Sequence, residues 1–160
     1  MPASKDFFDE VARQTTQGAT VAIATIVRTR GSTPREVGAK MLVQQGGAIL
    51  GTVGGGCGEA DVWHAALTVM DQLEPVTVAV DLTEPVAMDS QGVCGGILDI
   101  FVEPWTGQQV VDLSRPVGTP ELARRIAGSL EQRRAIALVT VVESRGDGAP
   151  LVGTHVVVSE

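Results

Sequence analysis

Sliding the chain past itself by 115 places superposes its end on its beginning without a gap, so one fold has to serve both segments. Ala22, Thr25, Val27, Arg30, Gly31, Val37, Gly38 and Val43 recur as Ala137, Thr140, Val142, Arg145, Gly146, Val152, Gly153 and Val158. Ser4 meets Thr119, both N-cap types, while Phe7, Val11 and Thr15 meet Leu122, Ile126 and Leu130 at helical spacing. The tail is therefore predicted to be a second helix-strand-loop-strand unit. It reaches Glu160 at a point where the first segment continues into a glycine stretch. Its last strand, predicted to be exposed, would pair with another chain, so a homodimer is expected.

The spacing predicts a helix over residues 4–17, a strand over 20–28 covered on both faces, and a hairpin of strands over 39–43 and 48–53. A further helix starts at Cys57, with Ala60, Trp63, Ala66, Leu67, Met70 and Leu73 as its apolar face, and ends before Pro75. Strands follow over 76–81 and 97–103, the latter stopped by Pro104. The expected fold is α/β, a mixed sheet of about five strands with flanking helices, plus a C-terminal αββ partial repeat. Residues 1–104 form the main domain, 105–118 a linker and 119–160 the partial repeat, packed on or paired with the first domain.

With 160 residues, 44% of them apolar, one core is the default, and disorder is excluded. A net charge of −7 without a basic block leaves no nucleic-acid footprint, and no apolar run approaches a membrane span. The acidic N-terminus lacks a signal-peptide core, which places the chain in the cytoplasm. In that compartment the two cysteines, Cys57 and Cys94, read as reduced, inert, catalytic or metal-binding in preference to a structural disulfide.

Both cysteines stand among glycines. In Gly51-Thr52-Val53-Gly54-Gly55-Gly56-Cys57-Gly58-Glu59, side-chain-free backbone leads into a helix N-terminus. Unpaired N–H groups and the helix dipole there favour an anion such as phosphate, and the same field raises the thiolate fraction of Cys57. A purely structural glycine turn with a buried Cys57 fits the same residues equally well. Gly92-Val93-Cys94-Gly95-Gly96 carries the same ambiguity. The tail replaces Ser32-Thr33-Pro34-Arg35-Glu36 with Asp147-Gly148-Ala149-Pro150-Leu151, so the cationic and hydroxyl groups occur in the first segment alone. Arg35 and Lys40 are the basic groups assigned to an anion at the glycine stretch, exposed surface charge being the alternative. Glu59 is read as complementing the helix dipole, His64 as a partly buried structural residue, and His155 is given no role. Two cysteines 37 apart show no zinc-type spacing, and no metal ligands are assigned.

Gly31-Ser32-Thr33-Pro34-Arg35, the Gly51–Glu59 stretch, and Gly92–Gly96 followed by Phe101-Val102-Glu103-Pro104 resemble, in this order, the N-terminal domain of the XdhC/CoxI family, over roughly residues 5–104. The resemblance implies a maturation chaperone for molybdenum hydroxylases such as xanthine dehydrogenase and carbon monoxide dehydrogenase, not a turnover enzyme. The implied ligand is the molybdenum cofactor, in mononucleotide or dinucleotide form; the implied partners are the apoenzyme and a cysteine desulfurase. Cys57 and Cys94 map onto the family's cysteine motifs, with Gly54, Gly55, Gly56, Gly58, Gly95 and Gly96 as the surrounding cofactor-binding backbone. A thiol-disulfide or sulfur-transfer enzyme, with Cys57 as nucleophile and Cys94 resolving it, is the alternative. A third reading is an interaction module whose glycines are structural.

Overall fold

The computed structural model describes residues 4–54, 56–82, 95–107, 118–146 and 151–159, with the backbone alone at Cys57. Helix α1 (Lys5–Thr16) buries Phe7, Phe8, Val11, Ala12 and Thr15 along one stripe. Thr15 satisfies its buried hydroxyl by donating to the Val11 carbonyl at 2.7 Å. After Gly18 the chain enters β1 (Thr20–Gly31), where Thr20 to Ala24 and Ile26 are all buried. There follow β2 (Lys40–Val43), β3 (Ile49–Gly51), α2 (Cys57–Gln72), β4 (Val76–Asp81), β5 (Gly96–Thr106), α3 (Pro120–Glu131), β6 (Ile136–Thr140) and β7 (His155–Ser159).

The first five strands form one sheet in the order β3-β2-β1-β5-β4. Each ladder in it is antiparallel, where a mixed sheet was expected. The β2–β3 turn folds the chain straight back, and the long β1–β5 pairing runs against chain direction, so no ladder needs a parallel crossover. Alternation along β1 and β2 then splits the core in two. Ala22, Ala24, Ile26, Met41 and Val43 face α2, together with Leu98, Ile100 and Val102 of β5. Val21, Ile23, Leu42 and Trp105 face α1 and α3.

Two predicted boundaries move. Pro104 does not stop β5, which continues through Trp105 and Thr106, so these residues are not linker. The reason lies in which side Pro104 presents. Its carbonyl accepts from Gly118 N–H at 3.0 Å, away from β1, so the missing proline N–H removes nothing from the β1 ladder. The outer edge is free there because β4 pairs only as far as Val102. Trp105 is fully buried.

Helix α2 is rotated from its predicted face. Val62, Ala66 and Val69 are buried, Trp63 and Met70 are partly so, and Ala60 is exposed. Trp63 is held at the rim because its indole N–H donates to the Gly47 carbonyl at 3.0 Å, and that bond sets the helix azimuth.

Helix α3 starts at Thr119, whose hydroxyl accepts from Leu122 N–H at 3.2 Å. Strands β6 and β7 form a separate two-stranded sheet with Ala137 opposite Val158 and Thr140 opposite His155. These pairs stand 115 residues after Ala22–Val43 and Thr25–Lys40 of β1 and β2. Glu103 and His155 meet between the sheets at 2.8 Å with almost no exposure, and Trp105 lies against the imidazole at 5.2 Å between ring centroids. Lys40 stands on the same face of the main sheet and donates to Thr25 Oγ1 at 2.7 Å.

Candidate functional site

Three glycine-bearing segments converge at one end of the main sheet. Gly31, the last residue of β1, pairs with Gly96, the first of β5. The approach is so close that a Cβ on Gly31 would stand 2.6 Å from the Gly95 carbonyl oxygen. A Cβ on Gly96 would stand 2.5 Å from the Ser32 oxygen and 2.6 Å from the Thr33 methyl. Gly31 also has φ +76°, a conformation that side chains resist. Glycine at both places is thus a requirement of the 31–36 loop folding back over the start of β5.

The glycine turn before α2 reaches the same place. A Cβ on Gly54 would lie 3.4 Å from Pro34 Cγ and 3.7 Å from Leu98 Cδ1, which puts the turn in contact with both the loop and β5. Gly58, in the first turn of α2, packs against β4, where a Cβ would meet Val80 Cγ1 at 2.5 Å. Gly56 caps α2 at φ +79° and no side chain caps the helix. Gly56 and Gly95 face open space where a side chain would stand, so their backbone is approachable. Arg35 is exposed on the loop beside them.

The turn is braced from within by Glu59. Its carboxylate accepts from the Thr52 hydroxyl and from Val53 N–H at 3.3 Å, and Thr52 Oγ1 in turn accepts from Gly54 N–H at 3.2 Å. Glu59 therefore does more than complement the dipole. It fixes the path of the chain into α2, a role that only the fold makes visible.

Lys40 is not at this site. It alternates with Met41 along β2, so its side chain emerges on the face opposite α2, beside Thr25 and in the field of Glu103. Burial lowers its pKa below the usual lysine value, with Glu103 opposing the shift. His64 is exposed on α2, not buried. His155, given no role from sequence, turns out to be the buried partner of Glu103. A lone histidine in a degenerate segment carries no signal that a carboxylate 52 residues away will meet it. Arg28 and Arg30 flank Asp99 at 3.5 and 3.3 Å as surface pairs of small energetic value. Gly55, Cys94 and the Cys57 side chain lie outside the described residues; the Cys57 backbone opens α2. Among the described residues no group of three or more His, Cys, Asp or Glu is arranged to hold a metal ion. None of their helices is long and apolar enough to cross a membrane.

The XdhC and CoxI family matches residues 15–81. An uncharacterized Escherichia coli protein, YqeB, is 35% identical over 97 residues, 61% of this chain and 18% of that protein. A probable xanthine dehydrogenase subunit from Bacillus subtilis is 32% identical over 89 residues, 54% of this chain and 27% of its own length. A crystal structure described as a xanthine dehydrogenase from Bacillus halodurans superposes with a TM-score of 0.64 at 29% identity, covering 87% of this chain and 39% of that one. The chain thus spans well under half the length of each of these relatives.

Proposed function

Because residues 15–81 match the XdhC and CoxI family, we propose that the chain serves the maturation of a molybdenum hydroxylase of the xanthine dehydrogenase or carbon monoxide dehydrogenase type. In this reading it binds the molybdenum cofactor, assists its sulfuration and delivers it to the apoenzyme. One observation carries the proposal. The loop containing Arg35, the turn at Gly54 and the Gly95-Gly96 backbone meet at one end of the sheet, although they are far apart in sequence.

The fit to such a ligand rests on what this end offers. Approachable backbone at Gly56 and Gly95, the uncapped N-terminus of α2 and the exposed guanidinium of Arg35 all favour an anionic group. The cofactor's phosphate or pyrophosphate is therefore assigned to the N–H groups from Gly56 to Gly58, since that of Gly54 is already given to Thr52 Oγ1. Arg35 screens its charge, and Lys40 has no part because it serves the opposite face. Cys57 and Cys94 are assigned to the molybdenum and sulfur side of the ligand, which supplies the hydroxylase's redox centre once transferred. A cysteine desulfurase is the proposed sulfur donor, the cytoplasm the proposed compartment and a homodimer the proposed assembly.

The test is activation of an apo molybdenum hydroxylase supplied with cofactor in the presence of the chain. Wild type is expected to raise recovered activity, and Cys57→Ser and Cys94→Ser to lose most of that gain while keeping the wild-type circular dichroism spectrum. Equal activation by both variants would remove the thiols from the proposal. No activation by wild type would remove the transfer role.

A further inference from the structure

Helix α2 opens with an anion of its own beside the donors assigned to an anionic ligand. Glu59 is the third residue of α2, behind the Gly56 cap. A glutamate at this place ordinarily turns back to the N–H of the capping residue. Here the carboxylate reaches past Gly56 and accepts from the Thr52 hydroxyl and from Val53 N–H, just beyond β3. Through Thr52 Oγ1, which accepts from Gly54 N–H, it also steadies the turn itself. The charge therefore lies alongside the chain that leads to the Gly56, Cys57 and Gly58 N–H groups.

Both bracing bonds land on one oxygen, Oε1. Holding the turn at those two points takes an acceptor and not a charge, since a neutral amide oxygen accepts the same two bonds. The charge has a separate effect. A carboxylate in the first turn of α2 sits at the positive end of the helix dipole and opposes a second anion placed there. Arg35, exposed on the loop whose Pro34 packs at Gly54, pulls the other way. Anion affinity at this end is thus a balance between a guanidinium and a carboxylate, of which the carboxylate is held by the turn.

We propose that the Glu59 carboxylate weakens anion binding at the α2 N-terminus and so sets how readily the site releases its ligand: Oε1 keeps the turn in shape, and the charge keeps the ligand exchangeable. Delivery to another protein needs release as much as capture, and differences in affinity at one site are expressed mostly in the rate of release. This role rests on the reading of this end as anion-binding; which anion is bound does not enter it.

The probe is inorganic pyrophosphate, titrated calorimetrically into the full chain at low and at physiological salt. Glu59→Gln keeps an oxygen at the bracing position and removes the charge. It is expected to bind about tenfold tighter than wild type, with the gain shrinking as salt screens the lost repulsion. Glu59→Ala removes brace and charge together and is expected to show no such gain. Glu121→Gln takes the same charge from the first turn of α3 and is expected to bind as wild type does. Equal binding by wild type and Glu59→Gln, a gain that ignores salt, or the same gain in Glu121→Gln would overturn the role of the charge and leave the anion-binding end standing. An equal gain in Glu59→Ala, or loss of the wild-type circular dichroism spectrum in Glu59→Gln, would overturn the division of labour between oxygen and charge. No binding by wild type or Glu59→Gln would remove the anion-binding end itself, and the role of Glu59 with it.

Discussion

Lys40 shows how one position can be misassigned by type and corrected by alternation. A lysine near a glycine turn reads as an anion ligand, but residues 40 and 41 of β2 face opposite sides of the sheet, and the methionine is the one beneath α2. Lys40 instead directs its ammonium to Thr25, largely out of water, and its pKa falls below the usual 10.5 because burial disfavours the charge. The sign of the consequence is fixed. Between the lowered folded value and 10.5 the unfolded chain holds a proton that the folded chain has released, so stability from this residue rises with pH through that window. Urea unfolding of wild type and Lys40→Met should show wild type gaining on the variant as pH rises from about 7 toward 10. Parallel curves would contradict the assignment. The glycines at 31 and 96 are a plainer case, since each is demanded by a backbone contact that no Cβ could share.

At the scale of elements, strand and helix existence followed from apolar period, and the misses have local causes. Pro104 sits in a strand because its N–H side faces away from β1, a fact of ladder phase that no residue type announces. The α2 azimuth is set by the Trp63 bond to Gly47, which draws the tryptophan to the rim and leaves Val62 and Val69 to fill the core. The contact of β7 with β5 was illegible for a deeper reason. His155 and Glu103 meet only because the second hairpin lies over the α1–α3 side of the main sheet. Their bond is buried, so removing one partner strands the other. His155→Ala should destabilise the chain by about 3 kcal/mol, read from the urea midpoint at constant slope. A loss below ~0.5 kcal/mol would mean that water reaches Glu103 and the pair does not clamp the sheets.

At the scale of the molecule, the sequence singled out three glycine motifs without showing how they meet. Their order along the chain was visible; their meeting depends on the β1–β5 pairing that sets Gly31 against Gly96 and on Pro34 packing at Gly54. Glu59 as an internal brace emerges only from side-chain contacts. The result is one end of a sheet with approachable backbone, a helix N-terminus and a guanidinium, in a chain whose residues 15–81 match the XdhC and CoxI family. The central claim is that this end binds the molybdenum cofactor. The direct measurement is anaerobic gel filtration of the full chain after incubation with cofactor freshly released from a molybdenum enzyme, with molybdenum and pterin quantified in each fraction. The account predicts that both elute with the protein in equal amounts. Elution of both with the small molecules, leaving the protein peak empty, would contradict it.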